Sequence, residues 1–255
     1  MSEDIKKNEI KLHERLKDEY GKRYGSEFAK MYQSHWNREI MDYIDTMEGA
    51  RILDCGCGNG VLLEEMRVIY ADSYGMDISH DMLKSSSLIK EGASILAVGD
   101  TEALPYKDES FDAVVCRGSL HHVPDPDKGL KEIGRVLKKG GSLIISEPCA
   151  DSLLLRLPRK IFIKKSDRFE DSHRSFTSRE LFQMLRDASF AIKKKKKFGF
   201  LAFPLCGMSD ILPVMKFLPF NKGITRLLIF LDKIFASIPI INNESWHIII
   251  KSTKS

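Results

Sequence analysis

The stretch ILDCGCGNG, residues 52–60, decides how this chain is read. A short apolar run leads to Asp54, then Gly56, Gly58 and Gly60 follow at alternate positions, and a segment of helical periodicity begins at Gly60. Glycines placed there permit a tight turn and let a ligand approach the backbone amides just ahead of a helix N-terminus. A small nucleotide-like ligand is implied. The spacing is G-x-G-x-G rather than the G-x-G-x-x-G of dinucleotide binders, and Val61 stands where the third glycine of that motif belongs. A nicotinamide-dependent dehydrogenase, which shares the strand, glycine turn and acidic residue, is thereby disfavoured.

On either side of this turn, short apolar runs alternate with amphipathic stretches. Strands are expected at Ala50–Cys55, Asp72–Ile78, Ala93–Val98, Phe111–Cys116 and Ser142–Glu147, with helices at Gly60–Val68, Ser79–Lys90 and Asp127–Lys138. The glycine pair Gly140 and Gly141 reads as the stop signal of the last helix. Such alternation predicts an α/β fold with a mostly parallel sheet covered on both faces, in which ligands sit at the carboxyl ends of the strands. Further on, Thr177–Ala188 reads as a helix, Ala191–Phe198 as a sixth strand and Trp246–Ile250 as a final one. Ahead of the sheet, Phe28, Met31, Tyr32, Trp36, Ile40 and Tyr43 recur at helical intervals and predict an N-terminal helical cap, residues 1–48, on a ligand-binding domain of residues 49–255.

The strand ends carry the chemistry. Asp77 closes YGMDIS about 20 residues beyond the glycine turn, where a carboxylate can accept hydrogen bonds from both hydroxyls of a ribose; its alternative role is to cap the helix that follows. Asp100 and Thr101 close the third strand. The segments ILDCGCGNG, YGMDIS, GDTEALPYKDESFDAVVC, LHHVPDPDKGLKEIGRVLKKGGSLIISEP and SFTSRELFQMLRDASF occur in that order over Arg51 to Phe190. Together they resemble the class I S-adenosylmethionine (SAM) dependent methyltransferases, in the branch that includes the ubiquinone and menaquinone biosynthesis enzymes. The resemblance implies a Rossmann-like fold with a seven-stranded sheet and SAM as cofactor. It assigns Asp54, Gly56, Cys57, Gly58 and Gly60 to the methionine part of SAM, Asp77 to the ribose, Ile78 and Thr101 to the adenine, Asp100 to its exocyclic amine, and Arg117 to the same pocket. Ser189 and Phe190 depart from the Gly-Phe that the family often shows, which affects a turn rather than the site.

A sulfonium methyl is electrophilic without assistance, so alignment of the acceptor is the main task, worth about 7–11 kcal/mol. If a general base is used, His121 or His122, after the fourth strand, is best placed, because imidazole titrates near neutrality; the resemblance favours His122. Packing of the loop before Pro124 is the other role open to them. His35, His173 and His247 have weaker claims. Tyr24 and Tyr32 are candidates either for closing over the site or for the core.

The bulk composition fits an ordinary globular protein, 43% hydrophobic and 30% charged, with a net charge of +4 from nearly balanced totals. It is no polycation, and with no Asn/Asp-Pro-Pro-aromatic motif a nucleic-acid methyltransferase is disfavoured. Five scattered cysteines fit reduced thiols, no pair of them shows zinc spacing, and no metal is expected. The charged N-terminus lacks the apolar core of a signal peptide, so a cytoplasmic location is expected.

Between Phe198 and the last strand lies an apolar insertion, about residues 199–242, broken by charges and prolines before about 18 apolar residues accumulate. Within it Ile224, Leu227, Leu228, Leu231, Phe235 and Ile238 form a helical stripe. One reading is a lid packed on the parent domain. The other is a hydrophobic pocket or a face peripheral to a membrane, with Arg159, Lys160, Lys164, Lys165 and the run Lys193 to Lys197 meeting anionic headgroups; that run otherwise reads as a solvated strand face. An apolar small-molecule acceptor suits the second reading. A module that binds SAM without turnover is the rival from another class, and only activity separates the two.

Overall fold

The computed structural model describes residues 4, 6–8, 10–11, 25–45, 49–70, 72–90, 95–152, 154, 175–208 and 212–255. Seven strands, β1 (Ile52–Cys55), β2 (Ser73–Asp77), β3 (Leu96–Val98), β4 (Phe111–Arg117), β5 (Leu137–Pro148), β6 (Phe190–Phe198) and β7 (His247–Lys254), join in one sheet. Their order is β3-β2-β1-β4-β5-β7-β6. The first five are mutually parallel, and β7 enters antiparallel between β5 and β6. The α/β fold expected from the alternation is present, with the Rossmann-like seven-stranded sheet that the resemblance implies.

Period-two alternation in the central strands builds two cores. Val114, Cys116, Leu143, Ile145, Ile248 and Ile250 face one layer, while Ala113, Val115, Ile144 and Ile249 face the other. The first layer is covered by helices α5 (Pro126–Val136) and α6 (Ser178–Asp187), through Leu130, Ile133, Leu181 and Leu185. Each begins with a side-chain cap: Asp125 accepts from the Lys128 amide, and Thr177 and Glu180 form a reciprocal capping box. The second layer is covered by α1 (Glu27–Met41) and α2 (Val61–Ile69), through Phe28, Tyr32, Ile40, Leu62 and Met66. Trp36 fixes α1 to the sheet, donating from Nε1 to Ser146 Oγ at 2.9 Å and packing on His247 at 4.5 Å.

Several expectations need correction. The segment Ser79–Lys90 is two short helices, α3 (His80–Lys84) and α4 (Ser87–Lys90). The glycine pair does not stop a helix: α5 already ends at Val136, and Gly140 and Gly141 lie within β5, where the register against β4 shifts between Phe111 and Ala113. Gly140 has φ of +72°, so the pair serves a bulge. The lysine run forms β6 at the sheet edge, and Lys193, Lys194 and Lys195 are exposed as a solvated face would be, yet four of its five members have partners. Lys194 lies over Tyr43, Lys195 over Phe182, Lys196 pairs with Glu39 and Lys197 with Asp151.

Between β6 and β7 come a π-helical turn (Phe203–Gly207), α7 (Val214–Phe217), α8 (Asn221–Phe235) and α9 (Pro239–Asn243). Helix α8 follows its apolar stripe only in part: Ile224 and Leu228 pack on the core, but the buried residues are Thr225 and Asp232, and Leu227 is exposed. The Asp232 carboxylate accepts from the amides of Leu201 and Ala202 at 2.7 and 3.0 Å. These donors, at the start of the π-helical turn, would otherwise be buried without partners, a cost that outweighs turning Leu227 and Ile238 outward. The basic residues expected at 159–165 lie outside the described residues.

Ser189, at the turn from α6 into β6, has φ of +63°. This is the left-handed position that glycine occupies after a helix without strain. Ser189→Gly is expected to raise the unfolding free energy by about 1 kcal/mol and Tm by about 2–4 °C, measured by thermal denaturation. An unchanged or lowered Tm would show that the serine side chain offsets its backbone strain.

Candidate active site

The carboxyl ends of β1, β2 and β4 converge on one crevice. Its floor is Asp54, 1% exposed, with both carboxylate oxygens shielded and without a hydrogen-bond partner among the described residues. Burial pushes this carboxyl up to about 7, the Arg117 guanidinium pulls it down, and Asp77 pushes it further up. A buried carboxyl in that state is poised for a cation.

Over Asp54 runs the glycine turn. Met76 O accepts from the amides of Gly56 and Cys57 at 2.7 and 3.0 Å, which ties the turn to β2. Gly56 has φ of +78°, and a Cβ there would stand 2.3 Å from Ser119 Cβ, so no other residue fits. Gly58, at φ of +56°, donates its amide to Asp77 Oδ2 at 2.8 Å, while Ser79 donates to Oδ1 at 2.8 Å. Asp77 therefore braces the turn as well as facing the crevice, and each oxygen keeps a further lone pair. Gly60, in the left-handed region, heads α2. The Cys57 thiol lies over Gly75, and burial raises it well above its ordinary value, so its side chain is a packing group. Ile78 is half-buried just past Asp77.

At the tip of β3 the arrangement is less open. Asp100 Oδ1 accepts from the Glu102 amide at 2.9 Å, and Oδ2 pairs with Lys6 at 2.6 Å; Lys6 also meets Glu102 at 2.7 Å. Lys6 is a neighbour that sequence reasoning did not find. Thr101 Oγ1 turns toward Cys55 Sγ, 3.5 Å away.

Arg117 belongs to the other wall. Its guanidinium is 4.3 Å above the Trp36 ring and hydrogen-bonded to Gln33, so α1 holds the cation that acts on Asp54. Gln33 and Trp36 were also missed, since nothing local links them to a residue some eighty positions later.

The two histidines lie in a short 3₁₀ turn, Leu120–His122, with their rings 4.0 Å apart. His121 Nδ1 is 2.6 Å from Glu147 Oε2. Glu147 is fully buried at the end of β5 and its Oε1 also accepts from the amides of Ser119 and Leu120 at 3.1 and 2.8 Å. Burial pushes its carboxyl up to about 8, against the pull of those amides and of His122. The contact holds the His121 ring through Nδ1. Glu147 was present in the quoted segment LIISEP, but only tertiary contact reveals its use.

The remaining candidates fall outside the crevice. His35, beside Glu39 within α1, is pushed down to about 4 by burial. His247 is sandwiched by Trp36 and Phe203. Tyr32 is fully buried against Phe203 and His35 and is a core residue. Tyr24 and His173 lie outside the described residues.

SAM fits this crevice on the residues' own chemistry. An unpartnered buried carboxyl matches its cationic amino-acid end, a turn without side chains admits it, and Asp77 offers acceptors to a ribose. Comparison with known proteins agrees. A model of the methyltransferase domain matches residues 53–145. A demethylmenaquinone methyltransferase of Renibacterium salmoninarum is 37% identical over 112 residues, 44% of this chain and 47% of that protein, so the chain spans about half of this relative's length. One from a Geobacillus species is 30% identical over 189 residues, covering 65% of this chain and 81% of the relative. In fold, the chain is similar to a SAM-dependent methyltransferase from Thermotoga maritima with a TM-score of 0.65 at 22% identity, over 96% of this chain and 99% of that one. With the sheet order, the glycine turn and the extent of the Geobacillus match in agreement, the chain belongs to the family of SAM-dependent methyltransferases.

Proposed function

We propose that this protein transfers the methyl group of SAM to a small apolar acceptor bearing an ionisable hydroxyl or carbon acid. The observation that carries the cofactor half is the buried, unpartnered Asp54 beneath the glycine turn. In this reading Asp54, Gly56, Gly58 and Gly60 hold the amino-acid end of SAM, Cys57 contributes only through its backbone, and Asp77 takes the ribose. Ile78, Asp100 and Thr101 border the adenine, and Arg117 tunes Asp54 from the side of α1. When bound, SAM supplies an electrophilic methyl group. The chain's own task is to orient the acceptor and receive its proton.

For that proton His121 is the better base, although the family resemblance favours His122. Glu147 anchors the His121 ring through Nδ1 and so fixes where its imidazole stands beside the glycine turn. The apolar character of the acceptor is supported by the relatives' names, demethylmenaquinone methyltransferases. The cap of residues 1–48 over a domain of residues 49–255 is part of this reading, as is a cytoplasmic location peripheral to a membrane. No helix among the described residues is long and apolar enough to cross one.

Two experiments test it. The folded chain without cofactor holds the Asp54 proton more tightly than the unfolded chain does, so this group's contribution to stability falls as pH rises from about 4 to about 7. Binding a cation reverses the preference and expels the proton. SAM affinity measured by calorimetry should therefore rise about tenfold per pH unit below 7 and level off above it, with proton release visible as a buffer dependence of the heat. Asp54→Asn should weaken binding and flatten the profile; a wild-type affinity independent of pH would reject the role of Asp54.

The second follows S-adenosylhomocysteine release against a panel of hydroquinone and isoprenoid phenol acceptors. His121→Ala should lower kcat by about 10²–10⁴ with SAM affinity unchanged. Glu147→Gln should lower it less and shift the pH profile. Full turnover by His121→Ala would remove the base from this reading, and preference for polar acceptors would remove the apolar substrate.

A further inference from the structure

Most of the large apolar side chains exposed among the described residues lie in the β6–β7 connection, between Val214 and Ile240. Phe217, Phe220 and Ile240 are 81%, 89% and 82% exposed, and Leu227, Phe230 and Ile234 form an exposed ridge at i, i+3 and i+7 of α8. Phe220 also has φ of +55°, a left-handed conformation that is costly for a bulky residue. A strained backbone that holds a phenylalanine in water gains nothing from the chain itself.

Charge on this face is one-sided. Lys216, Lys222, Arg226 and Lys233 are all exposed, and the one acidic residue from 212 to 243, Asp232, is buried on the amides of Leu201 and Ala202. Beside the ridge, the cleft between α1 and α8 is lined by Lys30, Arg38, Lys222 and Arg226 with one carboxylate, Glu27. Glu27 lies 3.7 Å from Lys30 and 3.3 Å from Lys222, whereas Arg38 and Arg226 have no carboxylate partner among the described residues. On the helix, Arg226 is one turn before Phe230, so cation and ridge adjoin.

We propose that this face is the membrane contact of the protein. The ridge of α8, with Phe217 and Phe220, enters the headgroup and acyl boundary of an anionic bilayer, and the cleft between α1 and α8 receives a lipid phosphate on Arg38 and Arg226. These are not the cations first expected from the sequence, since four of the lysine run are engaged elsewhere. A second copy of the chain is a poorer occupant, because a two-fold contact would set the same cations against one another. The proposal rests on the apolar-acceptor reading only for its purpose, which is to bring the site to a membrane-dissolved substrate.

Flotation of the whole protein with phosphatidylcholine vesicles, with and without phosphatidylglycerol, tests this. Binding is expected on the anionic vesicles alone and should fall with salt. Arg38→Glu with Arg226→Glu should weaken it roughly tenfold or more, at about 1 kcal/mol per basic residue. Phe217→Ser with Phe230→Ser should weaken it as strongly, while SAM calorimetry shows both variants folded. No flotation of the wild type, equal flotation on neutral vesicles, or unchanged flotation of either folded variant would overturn the proposal. So would a dimer in sedimentation that the ridge variant abolishes, which would seat a second copy there. Vesicle binding with no transfer to apolar acceptors would defeat the substrate reading and leave this one standing; the reverse result would do the opposite.

Discussion

The ends of β1 and β4 approach so closely that residue 56 has no room for a side chain, and the rest of the site depends on this approach. Gly56 admits Ser119, whose hydroxyl donates to Cys55 O at 2.7 Å and whose amide reaches Glu147. Ser119 is followed at once by the turn carrying His121. One contact thus couples the loop over Asp54 to the loop that holds the imidazole. Any change that separated the two strand ends would open Asp54 to water and release His121 from Glu147 together.

Much of this was legible in the sequence, and the division between what was and was not follows a physical line. Local features were legible: the apolar runs VVC and LII, the glycine turn, and the acidic residues Asp54, Asp77 and Asp100 at the strand ends. Each owes its place to neighbours a few residues away. The residues that escaped detection act across the chain, as Glu147 does on His121, Gln33 on Arg117 and Lys6 on Asp100. Their types are common on surfaces, and no spacing marks them.

Two misreadings show how tertiary demand overrides pattern. Gly140 and Gly141 follow a helical period, yet the sheet claims Leu137 because Phe111 pairs with it. The apolar stripe of α8 predicts its own burial, yet only Ile224 and Leu228 of it pack on the core, because the amides of Leu201 and Ala202 draw Asp232 inward. In both cases hydrogen-bonding groups of the backbone decided which face or partner was chosen. The lysine run teaches the same lesson for charge, since a sheet edge both tolerates lysines and gives their long stems rings and carboxylates to lie against.

The place of β7 has a consequence for how the molecule is made. It separates β5 from β6, although both precede it in the chain. A nascent polypeptide that has emerged through Phe198 therefore carries the open border of β5 and the isolated hairpin-less β6 with no strand to join them. The sheet closes only when residues 247–254 arrive and thread between the two, the slow, long-range kind of pairing that leaves partly built sheets prone to sticking to one another. During synthesis the five parallel strands are vulnerable along the uncovered border of β5, and this is the interval in which the chain has most to gain from a chaperone.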